Sequence, residues 1–431
     1  MKKIERIKHI YSKPPFFHKF SFLKRFFVFF PVSGTFIEID KNSYQNLNLK
    51  NFPKNKFFLE EYEIYKNFNP KFNSPNNLKS LCLLVSQICN MKCDYCFVDG
   101  GSFGKEDRLM SAKVAKDSVD FLIKNSKNRN IEIDFFGGEP LLNWDVVKET
   151  ILYGLSESKK KNKNLRFSLT TNGVLLTGDK IDFFNKNKIS LIISLDGPKN
   201  VNDRFRKLKN GEGSFDLIYP KVVNLIKKRD DGYYIRGTFT EETKSIFLSA
   251  KFLFEEGFKN ISLEPVIIDE ENPIKIKKDS MKKIKKDYEK IGEYIFNEKK
   301  KGNNLNFYHF LISLDEGPCL GKMSFGCGAG VEYLAVDSIG NLYPCHFLSE
   351  FDEFRIGNIY NGIDEELKDY FIKLNDLSNK PKCSSCWAKY LCGGGCIAHS
   401  YLINSDPLKP PFEFCSLQKK RVEIGLFLSN I

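Results

Sequence analysis

Residues 81–97 read LCLLVSQICNMKCDYCF, an apolar segment that continues directly into a loop with three cysteines. Three thiolates, here Cys89, Cys93 and Cys96, can hold a four-iron cluster and leave one iron without a protein ligand. Zinc is the alternative. A zinc site usually has four protein ligands, however, and no fourth cysteine or histidine lies close by in the sequence. The spacing therefore favours an iron–sulfur cluster at the end of the apolar segment.

This apolar segment is the first of six that alternate with helical patterns. Strands are predicted at 81–85, 131–136, 167–170, 191–195, 233–239 and 261–266, and helices near 112–124, 145–160, 178–187, 215–229 and 245–256. Strands joined by helical crossovers predict an α/β fold, in which helices cover a parallel sheet. Ligands of such sheets bind at the carboxyl ends of the strands.

The next three predicted strands also end in unusual loops. These are GGEP at 137–140, TTNG at 170–173 and SLDG at 194–197. Taken singly, each is an ordinary turn sequence. Beside a three-cysteine loop they favour a ligand site, because glycine lets the backbone approach a ligand closely. Carboxylate and hydroxyl groups there can bind amino groups and ribose hydroxyls.

The cysteine loop, the GGEP turn and the alternating pattern resemble the radical S-adenosylmethionine enzymes, over roughly residues 81–266. The resemblance implies a partial (β/α)6 barrel in which the reduced cluster cleaves S-adenosylmethionine to a 5′-deoxyadenosyl radical. It makes Cys89, Cys93 and Cys96 the catalytic cluster ligands. It also implies a set of cofactor-binding residues, namely Phe97, Gly138, Glu139, Thr170, Asn172, Ser194, Asp196 and Arg206.

Some of these residues have more specific implied roles. By the resemblance, Phe97 flanks the adenine, and Gly138 and Glu139 hold the methionine amino group. Arg206 pairs with the methionine carboxylate, for which a plain surface arginine is the alternative.

The last third of the chain has a second set of cysteines, which resembles the SPASM extension with two auxiliary four-iron clusters. The resemblance implies a total of three [4Fe–4S] clusters. One auxiliary cluster would have the ligands Cys383, Cys386, Cys392 and Cys415, and the other Cys327, Cys345 and Cys396 with Cys319 as the expected fourth. An open position in place of Cys319 would let a substrate thiolate bind, and zinc ribbons are the alternative for the CxxC part. Cys82 is left over and is interpreted as a small buried hydrophobe.

Within SPASM proteins, several segments resemble the thioether-forming maturases of SCIFF or ranthipeptide precursors. They are RGTFT at 236–240, LEPV at 263–266, EGPC at 316–319, CGAGVEYLAV at 327–336, LYPCH at 342–346 and QKKRVE at 418–423. The resemblance implies thioether cross-links between cysteine sulfur and carbon in a small cysteine-rich precursor peptide with a leader. Phe347 stands where that family is expected to have glutamine. The alternatives are formylglycine formation on a sulfatase, carbon–carbon cross-linking of a peptide, and a non-catalytic metal-binding module that recruits peptides.

The resemblance divides the chain into three parts. Residues 1–75 are an α+β, winged-helix-like element, 76–305 the barrel, and 306–431 the SPASM domain. Two strands and one or two helices are predicted in the first part, with a hairpin at 26–39. Such an element can bind a leader peptide through an exposed strand edge. The alternative is that this part only packs against the barrel and covers it.

Composition sets the remaining limits. The chain has 431 residues, 12 cysteines and a formal net charge of +13. No signal peptide or membrane span is predicted, so we expect a cytoplasmic protein whose cysteines bind metal rather than form disulfides. The lysine runs at 159–163 and 275–286 are interpreted as solvated helix faces, and neither nucleic acid nor a membrane is an expected partner. A basic surface favours an acidic electron donor, such as a flavodoxin- or ferredoxin-like protein.

Overall fold

The structure is a computed structural model, and it describes residues 13–48, 55–68, 77–229, 231–269, 271–312 and 325–430. These fall into two compact units. The first comprises the described residues of Asn76–Ile276 and Gly328–Ile372, and the second those of Lys2–Pro75, Lys277–Cys327 and Lys373–Ile431. The three-part division by sequence stays a prediction.

The second unit begins with a small antiparallel sheet. Its strands are β1 (His18–Phe22), β2 (Arg25–Phe29) and β3 (Phe36–Ile39), and the helices α1 (Lys41–Asn46) and α2 (Lys56–Asn67) follow. The predicted hairpin is confirmed as the pair β2–β3, but three strands are present instead of two. The turn between β1 and β2 has positive φ at Leu23 and Lys24. Two-residue hairpin turns usually place glycine or asparagine there, so the sequence lacks the usual signal.

The first unit contains the alternating strands and helices that the sequence predicts. The strands are β4 (Ser80–Ser86), β5 (Asn130–Gly137), β6 (Asn164–Thr171), β7 (Ser190–Ser194), β8 (Tyr233–Phe239) and β9 (Asn260–Pro265). The helices are α3 (Ala112–Asn125), α4 (Trp144–Lys160), α5 (Gly178–Lys186), α6 (Lys199–Phe205), α7 (Phe215–Lys227) and α8 (Ile246–Glu255). Serine side chains cap α3 and α8. Of these six helices, the short α6 was not predicted.

Strands β4 to β9 pair in parallel, each with the next along the chain. The α/β fold is thus confirmed. The sheet continues beyond β4 with a segment from the last third of the sequence: β11 (Tyr333–Val336) pairs with β4 in parallel. The strands β12 (Asn341–Tyr343), β13 (Gly357–Asn358) and β14 (Gly362–Ile363) then add to it in antiparallel order. The sequence analysis assigned no strands there.

The two faces of this sheet differ. Gly154 of α4 lies so close to Leu165 and Phe167 of β6 that a Cβ on it would be within 3.0 Å of both side chains. The odd-numbered residues of β6 therefore face α4, and the even-numbered ones point to the other side. By strand register, the opposite face includes Cys82, Asp134, Ser168, Ser194 and Arg236. We call it the inner face.

The rest of the second unit is mainly helical. Its elements are α9 (Met281–Lys300), β10 (Asn306–Phe307), α11 (Pro381–Ser384), α12 (Lys389–Cys392), α13 (Ile397–Asn404) and α14 (Phe412–Ser429). Helix α10 (Glu365–Asn375) comes between β10 and α11 in the chain and belongs partly to each unit. A Cβ on Gly292 of α9 would be 2.6 Å from Ile424 of α14, so glycine allows these two helices to pack closely. Among the described helices, none has the length and apolar character needed to span a bilayer.

Candidate functional site

The three-cysteine loop follows β4 and is hydrogen bonded to the end of α6 and to the segment after it. The backbone N–H of Lys92 donates to Lys207 O at 2.8 Å, and that of Asp94 donates to Phe205 O at 2.9 Å. Cys89, Cys93 and Cys96 are all half-buried. Burial is the main cause that raises the pKa of Cys93 to about 11; Arg206 opposes this shift, and the two other thiols of the loop contribute to it. The loop thus brings the three predicted ligands together.

The turn after β5 packs against this loop with almost no space between the two backbones. A Cβ on Gly138 would be 2.4 Å from Ile88 O and 2.8 Å from the Cα of Gly101. The next backbone N–H, from Glu139, donates to the same Ile88 oxygen at 2.9 Å. Only glycine fits at position 138, so the GGEP turn fixes the position of the residues that lead into the cysteine loop.

Glu139 is fully buried, and its carboxylate joins the ends of two strands. Oε1 accepts from Leu141 N at 3.0 Å and from Thr171 Oγ1 at 2.8 Å, while Oε2 accepts from Asn172 N at 2.7 Å. Burial raises the pKa of Glu139 to about 7. These bonds use three of the roughly four acceptor positions of a carboxylate. The predicted bond to a methionine amino group would use the fourth, and it stays a prediction.

Tyr95 is a buried residue between Cys93 and Cys96 of the cysteine loop, and its hydroxyl connects Asp196 and Arg206. Tyr95 Oη donates to Asp196 Oδ2 at 2.7 Å and accepts from Arg206 Nη1 at 3.1 Å. Asp196 Oδ1 accepts from Thr238 N at 2.9 Å, and burial raises the pKa of Asp196 to about 6. Arg206 is only 6% exposed, so it is not a surface arginine. The sequence analysis did not identify Tyr95.

Three further predicted cofactor-binding residues lie at the ends of β6 and β7. Asn172 is buried, and its Nδ2 donates to Asn90 Oδ1 at 2.8 Å, within the cysteine loop. Thr170 and Ser194 are half-buried. Ser194 pairs in register with Arg236 on the inner face. All three residues therefore belong to the strand ends that the sequence predicts as the site.

Phe97 has a neighbour that the sequence did not suggest. Its ring stacks on that of Phe347, with 4.3 Å between ring centroids. Phe347 is the residue that departs from the family pattern, and it follows His346, whose ring lies 4.6 Å from that of Phe136. An aromatic group thus covers one side of Phe97. The predicted contact between Phe97 and adenine is left for its other side.

The inner face has polar groups below the strand ends. Asp134 accepts from Ser168 Oγ at 3.0 Å and lies 3.7 Å from the thiol of Cys82, which is fully buried as predicted. Burial raises the pKa of Asp134 to about 6. Tyr333 hydrogen bonds to His346 Nδ1 at 2.9 Å, and burial lowers the pKa of this histidine to about 3. His346 is therefore a neutral imidazole near pH 7, and Asp134 is the group of this pair whose pKa lies close enough to neutrality for it to take up and release a proton.

In the second unit, four cysteines surround one cavity of about 300 Å³. They are Cys383, Cys386, Cys392 and Cys415, the set predicted for one auxiliary cluster. Nowhere in the described ranges do three or more histidine, cysteine or acidic side chains converge tightly enough to hold a single metal ion. A four-iron cluster needs wider spacing, because each thiolate binds a different iron. The cavity and its four thiols fit such a cluster.

The cysteines predicted to bind the other auxiliary cluster do not all belong to the same unit. Cys396 and Cys327 belong to the second unit and interact electrostatically, whereas Cys345 belongs to the first unit. Cys319 lies outside the described residues. The predicted ligand set of this cluster therefore stays a prediction.

Comparison with known proteins gives consistent matches. The profile of the Radical SAM superfamily matches residues 83–279. A cysteine-type anaerobic sulfatase-maturating enzyme of Clostridium perfringens is 30% identical over 340 residues, which are 73% of this chain and 88% of that relative. The structure "Native anSMEcpe with bound AdoMet and Kp18Cys peptide" aligns with a TM-score of 0.67 and 24% identity, over 82% of this chain and 99% of that one. Streptococcus suis SuiB bound to precursor peptide SuiA aligns with a TM-score of 0.56 and 18% identity, over 89% and 95%.

The chain belongs to the radical SAM superfamily. Its cofactors are accordingly S-adenosylmethionine and one [4Fe–4S] cluster, and when bound the pair supplies a deoxyadenosyl radical. The site fits them. Cys89, Cys93 and Cys96 would hold the cluster, and Arg206 Nε is buried without a hydrogen-bond partner in the described part of the chain. A buried donor of this kind needs an acceptor, and a carboxylate of the cofactor would supply one.

Proposed function

We propose that this chain is a peptide-modifying radical SAM enzyme that forms thioether cross-links from cysteine residues of a small ribosomal precursor. The observation that carries the proposal is the cavity lined by Cys383, Cys386, Cys392 and Cys415. An auxiliary cluster there could accept the electron that remains after a cysteine sulfur bonds to a substrate carbon radical. The likeness of fold to SuiB, a protein solved with a precursor peptide, also supports a peptide substrate.

The inner face provides groups that such a reaction needs. Asp134 is half-buried, and its pKa near 6 lets it take up a proton at neutral pH and release it again. Arg236 lies on the same face, pairs in register with Ser194 and is half-buried. We infer that a residue of the peptide is held between these groups, below the site of the cofactor. Asp134 would then serve as the base.

Formylglycine formation on a sulfatase is the second candidate. The observation that favours it is the 30% identity to a sulfatase-maturating enzyme. The carboxylate of Asp134 on the inner face suits either reaction. Such an enzyme would act on one cysteine or serine of a folding sulfatase and would need no leader peptide. The partner in either case is a polypeptide with a reactive cysteine or hydroxyl side chain.

Mass spectrometry of the products separates the two candidates. The reduced enzyme is incubated anaerobically with S-adenosylmethionine and either a short cysteine-rich peptide encoded beside this gene or a cysteine peptide with a sulfatase sequence. Cross-linking removes two hydrogen masses per thioether and protects cysteines from alkylation. Formylglycine formation removes the sulfur and leaves an aldehyde. An aldehyde product with no thioether on any encoded peptide would contradict the first proposal.

Two cysteine variants test the roles of the two units in the same assay. Cys93→Ala should abolish the release of 5′-deoxyadenosine, because it removes a ligand of the catalytic cluster. Cys386→Ala should leave cofactor cleavage but yield no modified peptide. A non-catalytic metal-binding module would release no 5′-deoxyadenosine even as wild type under dithionite. Normal cleavage by Cys93→Ala would show that the cysteine loop has been assigned wrongly.

We further propose a cytoplasmic protein, with an acidic flavodoxin- or ferredoxin-like electron donor. The sheet of β1, β2 and β3 is a candidate for binding the leader. Its central strand is β2, so β1 and β3 are its edges, and β3 has no buried residue. An edge strand of this kind can pair with an extended peptide.

A further inference from the structure

We propose that Lys380 donates hydrogen bonds to the cysteine sulfurs of an auxiliary cluster and thereby raises the reduction potential of that cluster. The inference rests on the proposed function only in requiring that an auxiliary cluster occupies the second unit. It assigns a role to a residue outside the cysteine motifs.

Lys380 is unusual because a lysine side chain is almost never fully buried without a partner. It is 0% exposed and is among the largest fully buried side chains of the protein. Its Nζ donates to Gly394 O at 3.1 Å. No carboxylate of the described ranges forms an ion pair with it. An ammonium has three N–H donors, and only one acceptor has been accounted for. Because the side chain is fully buried, the other two donors need acceptors other than bulk solvent.

The surroundings of Lys380 indicate what those acceptors are. The carbonyl of Gly394 that accepts from Lys380 also lies 4.0 Å from the sulfur of Cys383. Four thiols lie near enough to interact electrostatically with Lys380 once they are deprotonated: Cys383, Cys327, Cys392 and Cys396. Burial by itself disfavours the ammonium, whereas a nearby thiolate favours it. Bound iron keeps such thiols deprotonated, so the cluster supplies the missing negative charge.

The local backbone is built to bring these groups together. Cys392 and Cys396 are separated by three glycines, Gly393 to Gly395, all with positive φ between 69° and 81°. A Cβ on Gly394 would lie 2.3 Å from Leu377 and 3.1 Å from the Cδ of Lys380. The glycine loop therefore packs directly against the lysine side chain.

A neighbouring lysine provides a matched control. Lys382 is next to Cys383 in sequence and lines the same cavity as the four cysteines, but it is exposed. Water and salt screen the charge of an exposed group far more than that of a buried one. If burial is what makes Lys380 effective, removal of the charge at 382 should have little effect.

The physical expectation has a definite sign. Reduction adds one negative charge to a cluster, so a buried positive charge and N–H donors to its sulfurs stabilise the reduced form. Lys380→Met keeps a long flexible side chain and removes both the charge and the donors. We expect the ratio of reduced to oxidised cluster at a fixed potential to fall at least tenfold, which is about 59 mV for a one-electron couple.

The test is a potentiometric titration of the full-length enzyme with its clusters reconstituted anaerobically. Electron paramagnetic resonance is used to monitor the clusters during the titration. Signals that added S-adenosylmethionine does not change belong to auxiliary clusters. Lys380→Met is compared with wild type and Lys382→Met, and Lys380→Gln is a second variant that keeps N–H donors if the methionine variant does not fold. A negative shift in the Lys380 variants, with Lys382→Met like wild type, supports the inference.

Two results would overturn it. Unchanged potentials in both Lys380 variants, with iron and sulfide contents equal to wild type, would refute the role of Lys380 and leave the proposed function intact. Wild-type enzyme that binds iron and sulfide for only one cluster would refute the auxiliary clusters themselves, and with them this inference.

Discussion

Single side chains at the strand ends connect the cysteine loop to the rest of the site. Tyr95 is the clearest example, because its hydroxyl contacts both Asp196 and Arg206 while its neighbours Cys93 and Cys96 are predicted cluster ligands. One residue thus relates the position of the cluster to that of two predicted cofactor-binding groups.

We expect Tyr95→Phe to weaken binding of S-adenosylmethionine. The substitution removes a donor from the buried Asp196 and an acceptor from the buried Arg206. The loss of such a buried partner costs about 1–3 kcal/mol, which is roughly a 5- to 150-fold increase in Kd. Equilibrium binding to the reconstituted enzyme measures it. Tyr153→Phe is the control, since the Tyr153 hydroxyl donates to the exposed Asp120 at the protein surface. Equal affinity of both variants would contradict the role of Tyr95.

Asp134 gives a prediction about pH. Burial raises its pKa to about 6 in the folded protein, whereas a solvated aspartate titrates near 4. Between these values the folded protein binds a proton that the unfolded chain does not, so stability falls as pH rises through this window. Relative to Asp134→Asn, wild type should lose about 1–3 kcal/mol of unfolding free energy between pH 4 and pH 7. Anaerobic denaturant titrations test this, with substitution of an exposed aspartate, Asp107→Asn, as control.

The residues of the site were predictable to different degrees. Cysteine spacing and strand-end turns indicated Cys89, Gly138 and Asp196, because such motifs can be recognised in the sequence without knowledge of the fold. Tyr95 and Asp134 were not identified, since a tyrosine or aspartate acquires its role only from the groups that fold against it. The neighbours of Asp134 come from two other strands, and no local pattern relates them.

At the scale of elements, the turn between β5 and α4 depends on one close backbone contact. The prediction is that Gly138→Ala loosens this contact, since the added methyl group would meet the backbone at Ile88 and Gly101. Forcing an extra carbon into packed structure costs about 1–3 kcal/mol. We expect lower stability and a lower iron content after anaerobic reconstitution.

The matched control for that substitution is Gly178→Ala. Gly178 is the first residue of α5, and an added Cβ there has no atom within 4 Å. Alanine favours helix more than glycine does, so the control should be as stable as wild type or slightly more so. If both alanine variants keep the same iron content, the contact at Gly138 does not position the cysteine loop.

The regular elements followed from the sequence where their pattern is long. Each of the strands β4 to β9 was predicted to within three residues at either end, because buried parallel strands are continuous apolar runs bounded by turns. The strands β11 to β14 were not, since they have four residues or fewer and leave little periodicity to detect. Pairing between β4 and β11 depends on residues far apart in sequence, which no local window contains.

At the scale of the whole molecule, we expect the net charge of +13 to affect how fast an electron-donor protein associates with this one. Opposite charge on a partner raises association rates by about 10- to 1,000-fold at low salt, and this advantage falls as ionic strength rises. We therefore expect reduction of the clusters by an acidic flavodoxin to slow steeply between low and high salt. Stopped-flow absorbance measures the rate. Reduction by photoreduced deazaflavin, a small molecule without a large charge, is the control, and equal salt dependence would contradict steering.

The pairing of β11 with β4 has a consequence for biosynthesis. The ribosome releases β4, which leads into the catalytic loop, long before it releases residues 333–336. Until then one edge of β4 has unpaired N–H and C=O groups, and an exposed strand edge of this kind can pair with other nascent chains. In a fragment that ends near residue 300, this edge of β4 would stay unpaired because β11 is missing. The enzyme's first cluster site is therefore expected to mature only after translation has passed β11, and truncated barrels should precipitate rather than retain partial activity.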